Sequence, residues 1–529
     1  MAIYLNPSND SFLSDRKFPL YVDKSLLIKE TNACFGINQM KFMCVTRPRR
    51  FGKTMALSML NAYYSKGCDS RELFKDLKIA GDPSFEAHLN KHNVIQIDMA
   101  GIYTRIDDKN LFVAKIKSDL LRDLREAYPS LDLSSCLLEE AIVAIKNAYG
   151  DRFVFLIDEW DVIYREQERN AKLCDEYTDF LRSLFKASDV SSCIDLVYMT
   201  GILPIRRYNT QSALNMFKEY NMLSPGRLAS FFGFTEEEVR GLCQKHDMDF
   251  GEIKSWYDGY KLKGTEIYNP KSVVEAIDEG ECGDYWVTTS ATEAVANYMN
   301  FDGGFLKGTV SRLIAGESVP VNAGSFGNDL SKVNTPDAAL TVLIHLGYLG
   351  FVPSEERNGT GLCFVPNREI SQEFGRAAKE LDWKDVYSPL LKSKELYERT
   401  LLGDCAFINS ALDENREGLV SQFNRNDENL LSVIVQISYT YARRIHPTDK
   451  EVSVPRGRGD IVLYPGPKGA SPWVIELKVG RSAEEAIAQI KEKRYFDCFH
   501  DYKGKVLLLG INFDPKAERH SSKIEWIEV

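Results

Sequence analysis

Apolar residues fall into short unbroken runs separated by longer stretches of helical spacing. KFMCVT (41–46) is one such run; it breaks at Arg47-Pro48 and resumes as TMALSMLNAYY with its apolar positions at helical intervals. NVIQIDMA (93–100), FVFLIDEWD (153–161) and CIDLVYMTGI (193–202) read as strands, the second of them buried. Between them, LFVAKIKSDLLRDLREAY (111–128) and EYTDFLRSLFKAS (176–188) read as helices. Strands alternating with longer helices predict a parallel α/β sheet. From about residue 234 the strand pattern stops. FTEEEVRGLCQKH opens with Thr235 as an N-cap and Glu238 three residues on, a capping-box pattern. The stretch to about 415 is predicted mostly helical, with one hairpin-like break at LGYLGFVPSEERNGTGLCFVPN. The last segment changes again: helix 428–443, strands 450–454, 460–464 and 473–478, helix 483–499, strand 505–511.

A chain of 529 residues that is 44% hydrophobic and 27% charged is neither disordered nor fibrous. It is acidic, with 66 Lys+Arg against 76 Asp+Glu, which excludes a protein that coats nucleic acid with its whole surface. The acidity is uneven. Residues 421–529 hold 17 Lys+Arg against 15 Asp+Glu, leaving 49 against 61 in residues 1–420, so the C-terminal module is nearly neutral and the rest carries the negative charge. No signal-peptide pattern opens the chain and no apolar run approaches the ~20 residues needed to span a bilayer. Eleven cysteines without CxxC spacing and only seven histidines argue against a disulfide framework and a zinc cluster. A soluble cytoplasmic protein is expected.

Candidate chemistry gathers in two places. In Arg47-Pro48-Arg49-Arg50-Phe51-Gly52-Lys53-Thr54 the context is strand–loop–helix, as a phosphate-binding loop requires. Gly52 lets backbone N–H groups approach phosphates, Lys53 reaches the β- and γ-phosphates, and Thr54 offers a hydroxyl to Mg²⁺ at a helix N-terminus. Arg47 stands where the usual pattern has its first glycine. Asp158, ending the run Phe153–Ile157, can hold the metal through water, and Glu159 can act as general base on the attacking water. Thr200, ending the fourth strand, is the candidate γ-phosphate sensor. Arg206 and Arg207 are candidates for transition-state charge, or else solvated arginines after a helix cap. The nucleotide expected is ATP or GTP.

YVDKS (21–25), TRPRRFGKT (46–54), FLIDEWD (155–161), TGI (200–202), WYDGY (256–260), YNPKSV (268–273) and YW-x-TT (285–289) occur in order. Together they resemble the AAA-ATPase-like family over roughly residues 5–300. In that family an arginine-rich loop replaces the first P-loop glycine as a rule. The resemblance implies ATP as the nucleotide and a P-loop made of Arg49, Arg50, Phe51, Gly52, Lys53 and Thr54. It also leaves room for a homo-oligomer whose site is completed by a neighbouring subunit.

The second place is C-terminal. Asp460 follows the turn Arg456-Gly457-Arg458-Gly459, and sixteen residues later a strand carries Glu476-Leu477-Lys478. Residues i and i+2 of a strand share a face, so Glu476 and Lys478 project together, and a neighbouring strand can bring Asp460 beside them. Two carboxylates and the Leu477 carbonyl make an oxygen-rich Mg²⁺ or Mn²⁺ site, with Lys478 to offset developing negative charge. On its own, Glu-x-Lys on a strand is an ordinary same-face charge pair. The spacing is similar to the signature of PD-(D/E)XK phosphodiesterases, with Gly459 in place of the motif's proline. That resemblance implies roles for Gln489 and Tyr495 on the following helix and for Glu428 as a further acidic ligand. Arg456, Arg458, Lys491, Lys493 and Arg494 are the candidate phosphate contacts.

The expected organisation is α/β throughout. A P-loop parallel-sheet core spans 1–225 and a helical lid region 226–300. A helical linker spans 301–415, with a winged-helix-like element as the alternative. A restriction-endonuclease-like nuclease domain spans 416–529. The expected function is an ATPase coupled to a Mg-dependent nuclease that meets DNA or RNA through its C-terminal domain, with no membrane partner. The alternative is a nucleotide-dependent signalling or assembly switch whose C-terminal fold is an inactive nucleic-acid- or protein-binding module. His345, on an apolar helix face, reads as a core histidine.

Overall fold

Strand β1 (Phe42–Thr46) is buried at every position, because it lies inside a five-stranded parallel sheet. The sheet order is β2-β3-β4-β1-β5, with β2 Asn93–Asp98, β3 Phe153–Asp158, β4 Ile194–Gly201 and β5 Lys218–Tyr220. Alternate side chains enter two cores. Phe42, Cys44, Ile97, Phe155 and Ile157 face one, while Met43, Val45, Val94, Val154 and Leu156 face the other. Burial on both faces is why these strands read as continuous apolar runs. Val45 pairs with Thr200, and Ile157 pairs with Met199 on the opposite edge of β4. The strand carrying Thr200 is thus inserted between the loop strand and the strand ending in Asp158. All strands being parallel, their C-terminal ends share one rim.

The computed structural model describes residues 4–167, 169–205, 207–208, 211–212, 214–286, 295–300, 306–355, 359–420, 428–454, 457–466, 469–499 and 502–529. By contacts the chain divides into one unit of Met1–Trp286 with Pro320–Cys363 and another of Val287–Val319 with Phe364–Val529.

In the first unit helix α1 (Lys53–Tyr64) follows β1, and the short helix α2 (Val162–Glu166) follows β3. The run NVIQIDMA stops being a strand at Asp98, whose carboxylate accepts Gly101 N–H at 2.9 Å and caps a helix over Met99–Arg105. The Thr235–Glu238 box forms as expected. Strands do not end there, however. Phe234–Thr235, Tyr260–Leu262 and Thr265–Tyr268 make a small antiparallel sheet, and β5 adds a fifth strand to the main one. These strands are two to four residues long, too short to show a period of two. The hairpin-like break is a hairpin, Gly350–Pro353 with Thr360–Phe364, joined by Val319–Asn322 into a three-stranded sheet. The helix Pro336–Leu346 before it is buried from Ala338 to His345 and offers no free face to a nucleic-acid groove.

The second unit carries a five-stranded mixed sheet, β6 (Thr448–Val454), β7 (Gly457–Leu463), β8 (Trp473–Val479), β9 (Lys505–Asp514) and β10 (Arg519–Glu528), in sequence order. Only β8 and β9 pair in parallel, and helix α4 (Ala483–Lys493) makes their crossover. Helix α3 (Glu428–Ser438) and the helices Lys384–Leu401 and Cys405–Leu419 share a core with Ile461, Ile475, Leu477 and Leu509; α4 covers Val462, Val474 and Leu508. The expected helix 428–443 breaks at Tyr439, and 483–499 breaks at Arg494, whose φ is +53°. Strand β10 was not legible because its polar sequence suits an exposed edge. Among the described residues no helix is long and apolar enough to cross a membrane.

Candidate functional site

At the rim of the first sheet the chain leaves β1 through Arg47 and enters α1 through Gly52, at φ +81°. Arg50 also has positive φ, +69°. Arg47 is completely buried and turned away from the rim. It donates to the carbonyls of Thr46 (2.8 Å) and Tyr220 (2.9 Å) and lies over the Phe232 ring. Burial holds its pKa down to about 10. The residue replacing the first glycine is therefore an anchor that ties the loop to β5. Phe51, also buried, packs edge-on against Tyr260 of WYDGY, and the Tyr260 hydroxyl donates to Gly347 O at 2.6 Å. Side-chain anchors fix this loop where glycines would leave it pliant. Arg49 and Arg50 are exposed.

Lys53 is buried, and its Nζ donates to Arg47 O (3.0 Å) and Pro48 O (2.8 Å). Burial lowers its pKa, against the pull of Glu159 and Asp158. Thr54 Oγ1 donates to Asp158 Oδ2 at 2.7 Å, and Thr200 donates to Asp158 Oδ1. Thr54, Asp158 and Thr200, which lie far apart in sequence, thus meet on one carboxylate. Asp158 Oδ1 also accepts Glu159 N–H at 3.0 Å. Glu159 turns off the strand at φ +53°, and its carboxylate pairs with Arg165. Burial raises the Glu159 pKa, and Arg165 opposes the rise. Arg206 lies outside the described residues, and of Arg207 only the backbone is described.

A cavity of about 820 Å³ opens before the loop, within the range of small-molecule sites. Arg49 to Thr54, Glu159 and Arg165 line one part of it; Leu20, Val22, Phe234, Pro270 and Val274 line another. Reasoning on chemistry alone missed the second set and Arg165. The signal was there: YVDKS and YNPKSV stood out as motifs without a role, and both now border the cavity.

In the second unit Asp460 sits where the β7–β8 ladder ends. Backbone pairing runs from Leu463↔Trp473 to Ile461↔Ile475; one residue further, the Asp460 carboxylate accepts Leu477 N–H at 2.7 Å. Glu476 is 1% exposed. Its Oε1 accepts Lys478 Nζ at 2.7 Å and the Gln489 amide, and Gln489 donates in turn to the Tyr495 hydroxyl at 2.9 Å. Its Oε2 is buried with no hydrogen-bond partner among the described residues. Burial first, then the neighbouring Asp460 charge, push the Glu476 pKa up to about 7; burial also raises that of Asp460, with Glu428 adding to it. Glu428 itself is exposed at the start of α3. A buried carboxylate oxygen lacking a partner is costly unless a cation joins it. That fits the oxygen-ligand site expected at Asp460, Glu476 and Leu477.

Two glycines shape this corner. A Cβ on Gly510, the partner of Glu476 in β9, would come within 2.4 Å of Ala483 O, so only glycine lets α4 approach and set Gln489 on Glu476. A Cβ on Gly459, where the motif has proline, would meet the Tyr495 ring at 3.3 Å, a tight contact. Asn512, buried beside Lys478 in β9, accepts Arg481 N–H at 3.0 Å and was not foreseen. The basic residues are less available than their sequence suggested: Lys491 is paired with Glu525, and Arg494 with Asp497 at 2.9 Å. Arg456 lies outside the described residues, and of Arg458 only the backbone is described.

Residues 13–210 match the family model described as "Predicted AAA-ATPase", and residues 427–523 match that of the PD-(D/E)XK nuclease superfamily. The chain is also similar to a protein of Azotobacter chroococcum mcd 1 described as "Uncharacterized protein in vnfD 5'region". The two are 22% identical over 530 residues, covering 95% of this chain and 97% of that one. The likeness thus extends over both units. An ATPase-like module and a nuclease-like domain are joined in one chain.

Proposed function

We propose that the chain is a P-loop ATPase joined to a metal-dependent phosphodiesterase acting on DNA or RNA. The observation that carries this reading is the buried Glu476 Oε2, without a hydrogen-bond partner among the described residues, on a carboxylate set beside Asp460 and bonded to Lys478 through Oε1. Because the N–H and C=O of one strand residue point to the same side, the Leu477 carbonyl faces Asp460 as its N–H does. Asp460, Glu476 and Leu477 would hold Mg²⁺ or Mn²⁺, which supplies a water of lowered pKa and charge neutralisation at phosphorus. Tyr495 fixes Gln489, Gln489 fixes Glu476, and Lys478 presents a cation on the same face. Exposed Arg49 and Arg50 supply positive charge at the cavity of the first unit. There Lys53 and the loop amides would hold the nucleotide phosphates, Thr54 and Asp158 the accompanying Mg²⁺, and Glu159 would take the proton of the attacking water.

The test uses the full chain with plasmid, single-stranded DNA and RNA, with and without Mg²⁺ or Mn²⁺, and with ATP. Metal-dependent cleavage should vanish in Lys478→Ala and Glu476→Gln; cleavage by Lys478→Ala equal to that of wild type removes the nuclease reading. ATP hydrolysis should vanish in Lys53→Ala, and nucleotide binding undiminished by that change removes the P-loop assignment. The pairing of Lys491 and Arg494 with acidic neighbours favours a second reading, in which the C-terminal fold is an inactive binding module governed by the nucleotide switch.

A further inference from the structure

We propose that Arg165 is the positioning residue of Glu159, and that Asp161 holds Arg165 for this task; the inference rests on the nucleotide-hydrolysis reading above. Arg165 lies on α2 one turn after Asp161. Its Nη2 contacts the Glu159 carboxylate, its Nε lies 3.1 Å from Asp161 Oδ2, and its side chain is 10% exposed. Asp161 is completely buried, and the same Oδ2 accepts the backbone N–H groups of Ile202 (3.1 Å) and Leu203 (2.8 Å). Those two residues follow the end of β4, the strand that carries Thr200. One short chain of contacts therefore joins the candidate base to the end of the sensor strand.

A merely structural role would need less. Asp161 alone would neutralise a buried arginine, yet Arg165 also meets Glu159 and, at 3.6 Å through Nη1, the half-exposed Glu166, and all three line the cavity. The Glu159 side chain is 28% exposed there and would be loose without a partner. A glutamate has three side-chain torsions, and fixing it costs rotamer entropy. A guanidinium whose own plane is fixed by a second carboxylate holds it in one orientation, the arrangement by which a base is aimed at a water. The sequence hides this pair, because an arginine six residues after a Glu on an apolar helix start reads as solvated.

The proposal is tested by steady-state ATP hydrolysis and by fluorescent-ADP binding on the full chain and its variants Arg165→Gln, Arg165→Lys, Glu159→Gln and Arg165→Gln/Glu159→Gln. Arg165→Gln should lower kcat roughly tenfold or more while nucleotide affinity stays within about threefold. Arg165→Lys, which restores the charge but not the fork, should recover part of the loss. In the Glu159→Gln background, Arg165→Gln should change kcat less than about twofold, because residues acting as a unit are not additive. Independent losses in the double variant, an equal fall in affinity and kcat, or an unchanged kcat in Arg165→Gln each overturn it. If Arg165→Gln does not fold, Arg165→Lys alone decides: wild-type kcat, or a loss that persists in full on the Glu159→Gln background, overturns the proposal. If Glu159→Gln hydrolyses ATP like wild type, the parent reading fails instead.

Discussion

Glu476 shows how a single carboxyl records its surroundings. Its pKa stands at about 7 against an ordinary 4.5, because burial and Asp460 both disfavour its charged form. A carboxyl raised in the folded state stabilises the fold at low pH, and that contribution is lost as pH rises from about 4.5 through about 7. Metal-free wild type should therefore lose stability between about pH 4.5 and about 7, on the order of 1–3 kcal/mol from this group. The thermal melt of Glu476→Gln should lack that part of the slope, and Mn²⁺ should restore the wild type at pH 8. Equal slopes in the two proteins would show that Glu476 is not the group responsible. Arg47 makes the opposite case, a buried charge met only by carbonyls among the hydrogen bonds described. Arg47→Met leaves the Tyr220 and Thr46 carbonyls without this donor and should cost about 2–4 kcal/mol in urea denaturation. A loss below 0.5 kcal/mol would mean that the anchor is dispensable.

Elements place these residues by how closely they can approach. Helix α4 reaches Glu476 only because position 510 has no side chain. Gly510→Ala should destabilise by about 1–3 kcal/mol and shift α4 outward. Cleavage should fall even where the protein remains folded, because Gln489 no longer meets Glu476. Full cleavage by folded Gly510→Ala would show that Gln489 has no part in the chemistry. In the first unit the Thr235–Glu238 box is tied to the YVDKS segment by Lys24, which donates to Glu238 at 2.6 Å. Thr235→Ala should cost about 0.5–2 kcal/mol, with nucleotide affinity falling as the cavity wall loosens. Affinity that does not move would uncouple the cap from the cavity.

For the molecule as a whole, the C-terminal core is larger than the nuclease-like match. Tyr397 stacks on Trp473 at 5.0 Å with the rings nearly parallel, and Leu396, Ile408 and Leu412 share that core with Ile475 and Leu509. A fragment 416–529 would expose these contacts and should give poor amide dispersion by NMR. A fragment 364–529 should keep a packed core, although the segment 287–319 of its unit is missing. Native-like dispersion from 416–529 alone would contradict this.

Some of this was written locally. Apolar runs alternating with longer helical patterns announced the parallel sheet, Gly52-Lys53-Thr54 announced the loop, and i, i+2 spacing put Glu476 beside Lys478, because period and spacing depend only on neighbours along the chain. Thr54 on Asp158, Arg165 on Glu159, Arg47 on Tyr220 and Gln489 on Glu476 could not be read that way. Such pairs depend on sheet order, on where a ladder ends and on how near a helix can pack, and those are set by the burial of apolar surface across the fold. Sequence determined which groups are present and on which kind of element; tertiary structure alone decided which carboxylate is held, which is buried and which lacks a hydrogen-bond partner among the described residues.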